Sequence, residues 1–168
     1  MHLREATPAD ISFIVAVEHA PEFREYIGTW THDEHATAMR DPDTRYFIAL
    51  DDSENAVGYV ILRGLQSEHR NLELKRVAMH SPGRGYGKQV LQLLLKKIFD
   101  EFKAHRLWLD VFETNVRAQH LYRSLGFQQD GIFREAVYRD GTYHSLFLMS
   151  LLDHEYRGWE ITHENRSR

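Results

Sequence analysis

The run Pro82-Gly83-Arg84-Gly85-Tyr86-Gly87-Lys88 is the part of this sequence best suited to holding a phosphate. Glycines let a backbone approach a ligand closely and take positive φ, and Arg84 and Lys88 add cationic donors. The loop stands between an alternating stretch, Leu72 to Met79, and a long run with helical periodicity. At such a strand-to-helix junction, free backbone N–H groups and the helix dipole together bind phosphate oxygens. Two common phosphate loops fail on spacing. A Walker A motif closing on Gly87-Lys88 needs glycine where Pro82 stands and Ser or Thr where Gln89 stands. A G-x-G-x-x-G begun at Gly83 ends on Lys88, and one begun at Gly85 ends on Val90. On spacing alone, an ordinary strand-to-helix turn explains the glycines as well as a ligand does.

The elements that must hold this loop follow from periodicity. Residues 2–6 read as a short strand, and Thr7-Pro8-Ala9-Asp10 starts a helix with Ile11, Ile14, Val15 and Val17 on one face. Thr31 caps a second helix over 32–40, with Asp33 and Glu34 in its first turn. Tyr46–Leu50 and Gly58–Leu62 read as strands joined by a polar turn. Leu72 to Met79 is a third strand, predicted to turn Leu72, Leu74, Arg76 and Ala78 to one face and Glu73, Lys75, Val77 and Met79 to the other. Val90, Leu91, Leu94, Leu95, Ile98, Phe99 and Phe102 recur at helical spacing. Leu107–Phe112 is an apolar strand carrying Asp110, Asn115–Leu125 a short helix closed by Gly126, and Gln128–Tyr138 and Tyr143–Leu152 a closing pair of strands. The order β-α-α-β-β-β-α-β-α-β-β describes a mixed α/β single domain spanning residues 1–168.

Composition narrows the function classes. The 168 residues suit one domain, and 42% hydrophobic residues supply a core. A net charge of −4 and the absence of a basic stripe disfavour nucleic acid. There is no cysteine, which excludes disulfides, thiolate metal sites and a cysteine nucleophile and agrees with a cytoplasmic location. The charged N-terminus has no apolar leader segment, and no apolar run is long enough to span a bilayer, so no membrane partner is expected.

From Leu74 to Phe127 the sequence resembles motifs A and B of the GNAT acetyltransferase superfamily, whose loop is Gln/Arg-x-x-Gly-x-Gly/Ala. Gly85 and Gly87 fill the glycine positions. Downstream, Asn115-Val116-Arg117-Ala118-Gln119-His120-Leu121-Tyr122-Arg123-Ser124-Leu125-Gly126-Phe127 matches the family's N-x-x-A-x-x-L-Y-x-x-x-G-F and is the more specific element. The order of elements extends the resemblance to about residues 3–152, leaving 153–168 as a C-terminal extension. Pro82 departs from the family's leading Gln or Arg and has no N–H to give, so Arg84 is the expected compensation.

The resemblance implies a mostly antiparallel central sheet flanked by helices, with acetyl-CoA as co-substrate in a gap between the strand ending at Met79 and the strand 107–112. It implies that backbone groups of Val77, Ala78 and Met79 meet the pantetheine arm, that Gly83, Arg84, Gly85, Tyr86, Gly87 and Lys88 hold the pyrophosphate, and that Asn115 contacts the pantetheine. Tyr122 is then the acid that protonates the departing thiolate. A phenol of pKa about 10 carries its proton at neutral pH and can give it to a thiolate of pKa about 8.5. The attacking amine must lose a proton, and two strand carboxylates are candidates for the base. Asp110 stands where ribosomal-protein N-terminal acetyltransferases of this superfamily carry a glutamate, and Glu73 lies where other members place theirs. A water relay with no single base is the third option.

The family's variable acceptor loops correspond to residues 19–35, with Phe23, Tyr26 and Trp30 as substrate-binding candidates. Glu18, Glu22, Glu25, Asp33 and Glu34 in and beside this stretch suit a cationic amine, although a solvated helix face explains them equally well. His32 and His35 lack a third ligand at metal-binding spacing, so no metal is expected. The resemblance spans ribosomal-protein N-terminal and small-amine branches, so the acceptor is a small amine, an amino acid or a peptide N-terminus, and the family's habit implies a homodimer. The alternative is a non-catalytic acyl-CoA-binding sensor with the same fold.

Overall fold

Tyr46–Leu50 and Gly58–Leu62 are apolar on both sides, and such strands need cover on both faces. They lie near the middle of a seven-stranded sheet in the computed structural model, which describes residues 1–23, 25–80 and 85–164, with side chains to 158. The strands are β1 (His2–Glu5), β2 (Thr44–Leu50), β3 (Ala56–Arg63), β4 (Asn71–Met79), β5 (Arg106–Phe112), β6 (Gln128–Arg139) and β7 (Thr142–Leu152). Their spatial order is β1-β2-β3-β4-β5-β7-β6. Every neighbouring pair is antiparallel except β4–β5, which is parallel.

Helices cover both faces. A 3₁₀ turn over Pro8–Asp10 leads into α1 (Ile11–Glu18), which packs with α2 (His32–Arg40) on one face. Ile14 and Val17 meet Tyr46, Ile48, Tyr59, Ile61 and Ala78 there. Thr31 caps α2 as expected: its hydroxyl accepts from the Glu34 N–H at 3.2 Å, and Glu34 accepts from the Thr31 N–H at 2.7 Å. On the opposite face α3 (Tyr86–Lys96), running on as a π turn over Lys97–Glu101, sets Val90, Leu91, Leu94, Leu95, Ile98 and Phe99 against Leu72, Leu74, Leu107 and Leu109. The same core takes Tyr122, Leu125 and Phe127 from α4 (Val116–Ser124) and the turn behind it, where Gly126 takes φ +93°. A twelve-residue helix, α5 (Asp153–Glu164), follows β7, and Tyr156 stacks on Phe99 at 4.8 Å. Nothing in the periodicity of 153–168 announced that helix.

One expectation fails in β4. Ile61 pairs with Arg76, but Leu62 pairs with Leu74, so β4 carries an extra residue at Lys75. A bulge of this kind resets the alternation of side chains and increases local twist. Leu72 and Leu74 therefore face α3 together with Val77 and Met79, while Ala78 joins the α1–α2 side, and Arg76 beside it reaches Glu18. Pairing between β4 and β5 stops at Glu73 and Trp108. Beyond that rung the two strands diverge, and the gap between them is the site.

Candidate active site

The gap opens into a cleft of about 1040 Å³. From Leu74 to Met79 one edge of β4 pairs with β3, and the edge toward β5 has no strand partner. Its N–H and C=O groups are free to meet an amide-bearing chain laid along it. Where β4 ends, α3 begins at Gly85, whose φ of +77° is left-handed and whose position as N-cap offers no side-chain acceptor. The N–H groups of Tyr86, Gly87 and Lys88 are therefore without helical partners at the positive end of a helix dipole. Val77, Ala78, Met79, Gly85, Tyr86, Gly87, Lys88 and Asn115 all line this cleft. Pro82, Gly83 and Arg84 lie outside the described residues. A strand edge that accepts amides, next to a helix N-terminus that accepts anions, fits the pantetheine and pyrophosphate of CoA. Asn115 also caps α4, its Oδ1 accepting from the Ala118 N–H at 3.1 Å, which leaves its amide NH₂ for a ligand.

Tyr122 comes to this cleft from α4 and is 9% exposed, with its ring 5.6 Å from Phe127. Among the described residues its hydroxyl has no hydrogen-bond partner. Burial pushes the phenol's pKa up, and the charge of Asp110 pushes it further. Asp110 is exposed, lines the same cleft and is near enough to Tyr122 for its charge to be felt. Glu73 does not join them. It sits at the last paired rung of β4 and β5, outside the cleft lining, with its carboxylate 3.5 Å from Lys75 Nζ.

Phe23, Tyr26 and Trp30 line the other arm of the cleft. The Tyr26 ring meets the edge of Phe112 at 6.0 Å, and Trp30 lies under two guanidinium groups, Arg76 at 4.7 Å and Arg63 at 5.2 Å. Across the opening, Arg139 of β6 donates to the Glu25 carbonyl at 2.6 Å and lies 5.0 Å over Phe112, joining the loop to the β6–β7 hairpin.

Beneath this arm is a buried carboxylate. Glu18 is fully buried and accepts from Tyr59 Oη at 2.7 Å, from the Trp30 N–H at 2.9 Å and from Arg76. His35 Nε2 is 3.2 Å from the same carboxylate, and His35 Nδ1 is 3.0 Å from Tyr46 Oη. Burial alone would raise the pKa of Glu18. The His35 ring, the Trp30 N–H, the Tyr59 hydroxyl and the Arg76 charge outweigh it and bring the pKa to about 2.

The charge expected of this arm is therefore corrected. Of Glu18, Glu22, Glu25, Asp33 and Glu34, Glu22 alone lines the cleft. Glu18 is consumed by its donors, and Glu34 turns back to cap α2. Five cations that the sequence motifs did not single out, Arg63, Lys75, Arg76, Arg117 and Arg139, line it instead. The period-two pattern of β3 could have placed Arg63 on the face of Tyr59 and Ile61. The bulge hid the placement of Arg76. Among the described residues, no group of three His, Asp or Glu is arranged for a metal.

The comparisons with known proteins agree with this geometry. Residues 12–127 match the model of the Acetyltransferase (GNAT) family. A spermidine N(1)-acetyltransferase of Vibrio cholerae is 28% identical over 119 residues, which are 70% of this chain and 69% of that protein. The Escherichia coli enzyme of the same name is 28% identical over 126 residues, 74% of this chain and 66% of its own length. A crystal structure of the Vibrio cholerae spermidine N-acetyltransferase in complex with CoA and spermine superposes with a TM-score of 0.83 at 25% identity, covering 92% of this chain and 96% of that one. With its family model, its fold and a CoA-shaped cleft in agreement, this chain belongs to the GNAT family of acetyltransferases, with acetyl-CoA as its co-substrate.

Proposed function

We propose that this acetyltransferase moves the acetyl group to a primary amine of a small molecule, with Tyr122 as general acid and Asp110 receiving the amine proton through water. The observation that carries the reading is the convergence of Tyr122 and Asp110 on one cleft whose other arm has a free strand edge and a helix N-terminus. Acetyl-CoA supplies an activated thioester, so the new C–N bond forms as the C–S bond breaks. Tyr122 keeps its proton at neutral pH because burial and Asp110 disfavour the phenolate, and it donates that proton to the sulfur as charge develops there. Asp110 is an exposed carboxylate, placed to take the proton the amine sheds. Spermidine, named as the substrate of the two relatives, is a small primary amine, which supports the acceptor class.

Catalysis is favoured over a non-catalytic CoA sensor, because a phenol without a hydrogen-bond partner among the described residues lines the same cleft as Asp110. No described helix is long and apolar enough to cross a membrane. A cytoplasmic location and a homodimer belong to the same reading; light scattering tests the second, with exposed Ile132, Phe133 and Tyr138 on β6 as its support. The test of the chemistry is Tyr122→Phe, which is expected to lower kcat by ~10²-fold with the KM for acetyl-CoA little changed. Asp110→Asn is expected to lower kcat by ~10²-fold. Full activity in the Tyr122→Phe variant would remove Tyr122 from this role.

A further inference from the structure

Arg63 lines the cleft with its guanidinium on the Trp30 ring. Among the described residues that guanidinium makes no ion pair and no hydrogen bond. Its cationic neighbours are differently placed. Arg76 is bound to Glu18, and Lys75 lies 3.5 Å from Glu73. Arg139 donates to a neutral backbone carbonyl. A guanidinium presents five N–H groups in a planar fork matched to a carboxylate, and one that faces a cleft without an acceptor is a receptor for one.

The placement of charge along the arm is polarised. Arg63 and Asp110 are on the same face of the sheet: Arg63 follows Tyr59 and Ile61, which face α1 and α2, and Asp110 alternates with Leu109 and Val111, which face α3. Arg63 is level with Glu73, and Glu73 with Trp108, so Asp110 lies two strands across and two residues further on. β4 and β5 have already parted there, so the two backbones are more than roughly 12 Å apart. An ammonium group is welcome at the Asp110 end and repelled at the Arg63 end. A polyamine offers a second cation to the Arg63 end, and a zwitterion offers an anion.

We propose that the acceptor is a small zwitterion, a primary amine bearing a carboxylate, whose amine goes to Asp110 and Tyr122 and whose carboxylate is received by Arg63. The proposal rests on the acetyl-transfer reading above and narrows its acceptor.

The experiment uses the full chain with acetyl-CoA and acceptors that differ only by the carboxylate: lysine against cadaverine, and ornithine against putrescine. Spermidine serves as the polycation. CoA release and acetylated product are both followed. The expected result is a kcat/KM at least tenfold higher for the carboxylate-bearing member of each pair. In Arg63→Gln that ratio collapses toward one, and Arg63→Lys restores part of it. Preference for the diamines or spermidine, with the ratio unmoved in Arg63→Gln, would overturn the proposal and leave acetyl transfer to amines intact. No product from any of the five acceptors would instead count against the acetyl-transfer reading itself.

Discussion

The two arms of the cleft are built in opposite ways. The cofactor arm is mostly backbone, the free edge of β4 and the first turn of α3, and its residues fall within one short stretch of chain. The acceptor arm is made of side chains: Phe23, Tyr26 and Trp30 from one loop, Arg63 from β3, Arg76 from β4 and Arg139 from β6. Its loop is fixed from beneath by one buried carboxylate. A backbone site tolerates most side-chain changes and is vulnerable where a special φ is needed. A side-chain site depends on the few residues that fix its members, and here that residue is Glu18.

The sharpest way to break the contrast is to remove Glu18. Glu18→Ala leaves the buried Arg76 guanidinium, the Tyr59 hydroxyl and the Trp30 N–H without their acceptor. Breaking a buried pair from one side costs about 3–5 kcal/mol. For a chain of this size that lowers Tm by roughly 6–20 °C, read by thermal melting. The KM for the acceptor should rise more than the KM for acetyl-CoA. Equal damage to both would show that the arms are not independent.

The same group sets a pH dependence. The pKa of Glu18 falls from the ordinary carboxylate range to about 2 on folding. Its contribution is therefore complete above the unfolded value and is lost as pH falls toward and through the folded one, a loss of about 3 kcal/mol. Asp10, held at about 2 first by its hydrogen bond from Arg4, adds a loss of the same sign. The difference in acid slope between wild type and Glu18→Gln in urea melts from pH 6 to pH 2.5 isolates Glu18. Parallel slopes would mean that the carboxylate titrates normally.

A smaller effect is expected on the cofactor side. Gly85 takes φ +77°, and a Cβ there meets nothing within 4 Å, so Gly85→Val is limited by backbone strain and not by space. The left-handed conformation costs a β-branched residue ~1–2 kcal/mol, which appears as roughly 5- to 30-fold in KM for acetyl-CoA. Gly85→Asn, which tolerates this φ, should recover most of it. A loss that follows side-chain size and not φ would mean that the cleft wall is tighter than the structure has it.

The difference between the arms also explains what the sequence made legible. The loop and the Asn115–Phe127 element are contiguous and have fixed spacing, so the family, the order of elements as far as β7 and the cleft-lining positions Val77, Ala78, Met79, Gly85, Tyr86, Gly87, Lys88 and Asn115 could be read directly. Period-two alternation misplaced the second half of β4, because the extra residue at Lys75 has no signature in residue type. Glu18 read as one more acid near the acceptor loop. Its burial depends on Trp30, Tyr59 and Arg76, which arrive from three distant stretches. Helix α5 was unread because its composition is polar and Tyr156 is its one core residue among the described side chains.

The smallest effect expected separates the two carboxylates that the sequence left as rivals. Glu73 sits on the last β4–β5 rung, partly covered, with Lys75 Nζ 3.5 Å away. A partly exposed pair of this kind is worth about 0–1 kcal/mol, and glutamine preserves its packing. Glu73→Gln should therefore change kcat/KM by less than ~2-fold, about 0.4 kcal/mol at the transition state, where Asp110→Asn is expected to cost ~10²-fold. If Glu73→Gln instead lost as much activity as Asp110→Asn, the base would act from outside the cleft lining through a chain of water. The boundary between the site and its frame would then lie one rung deeper in the sheet than the divergence of β4 and β5 places it.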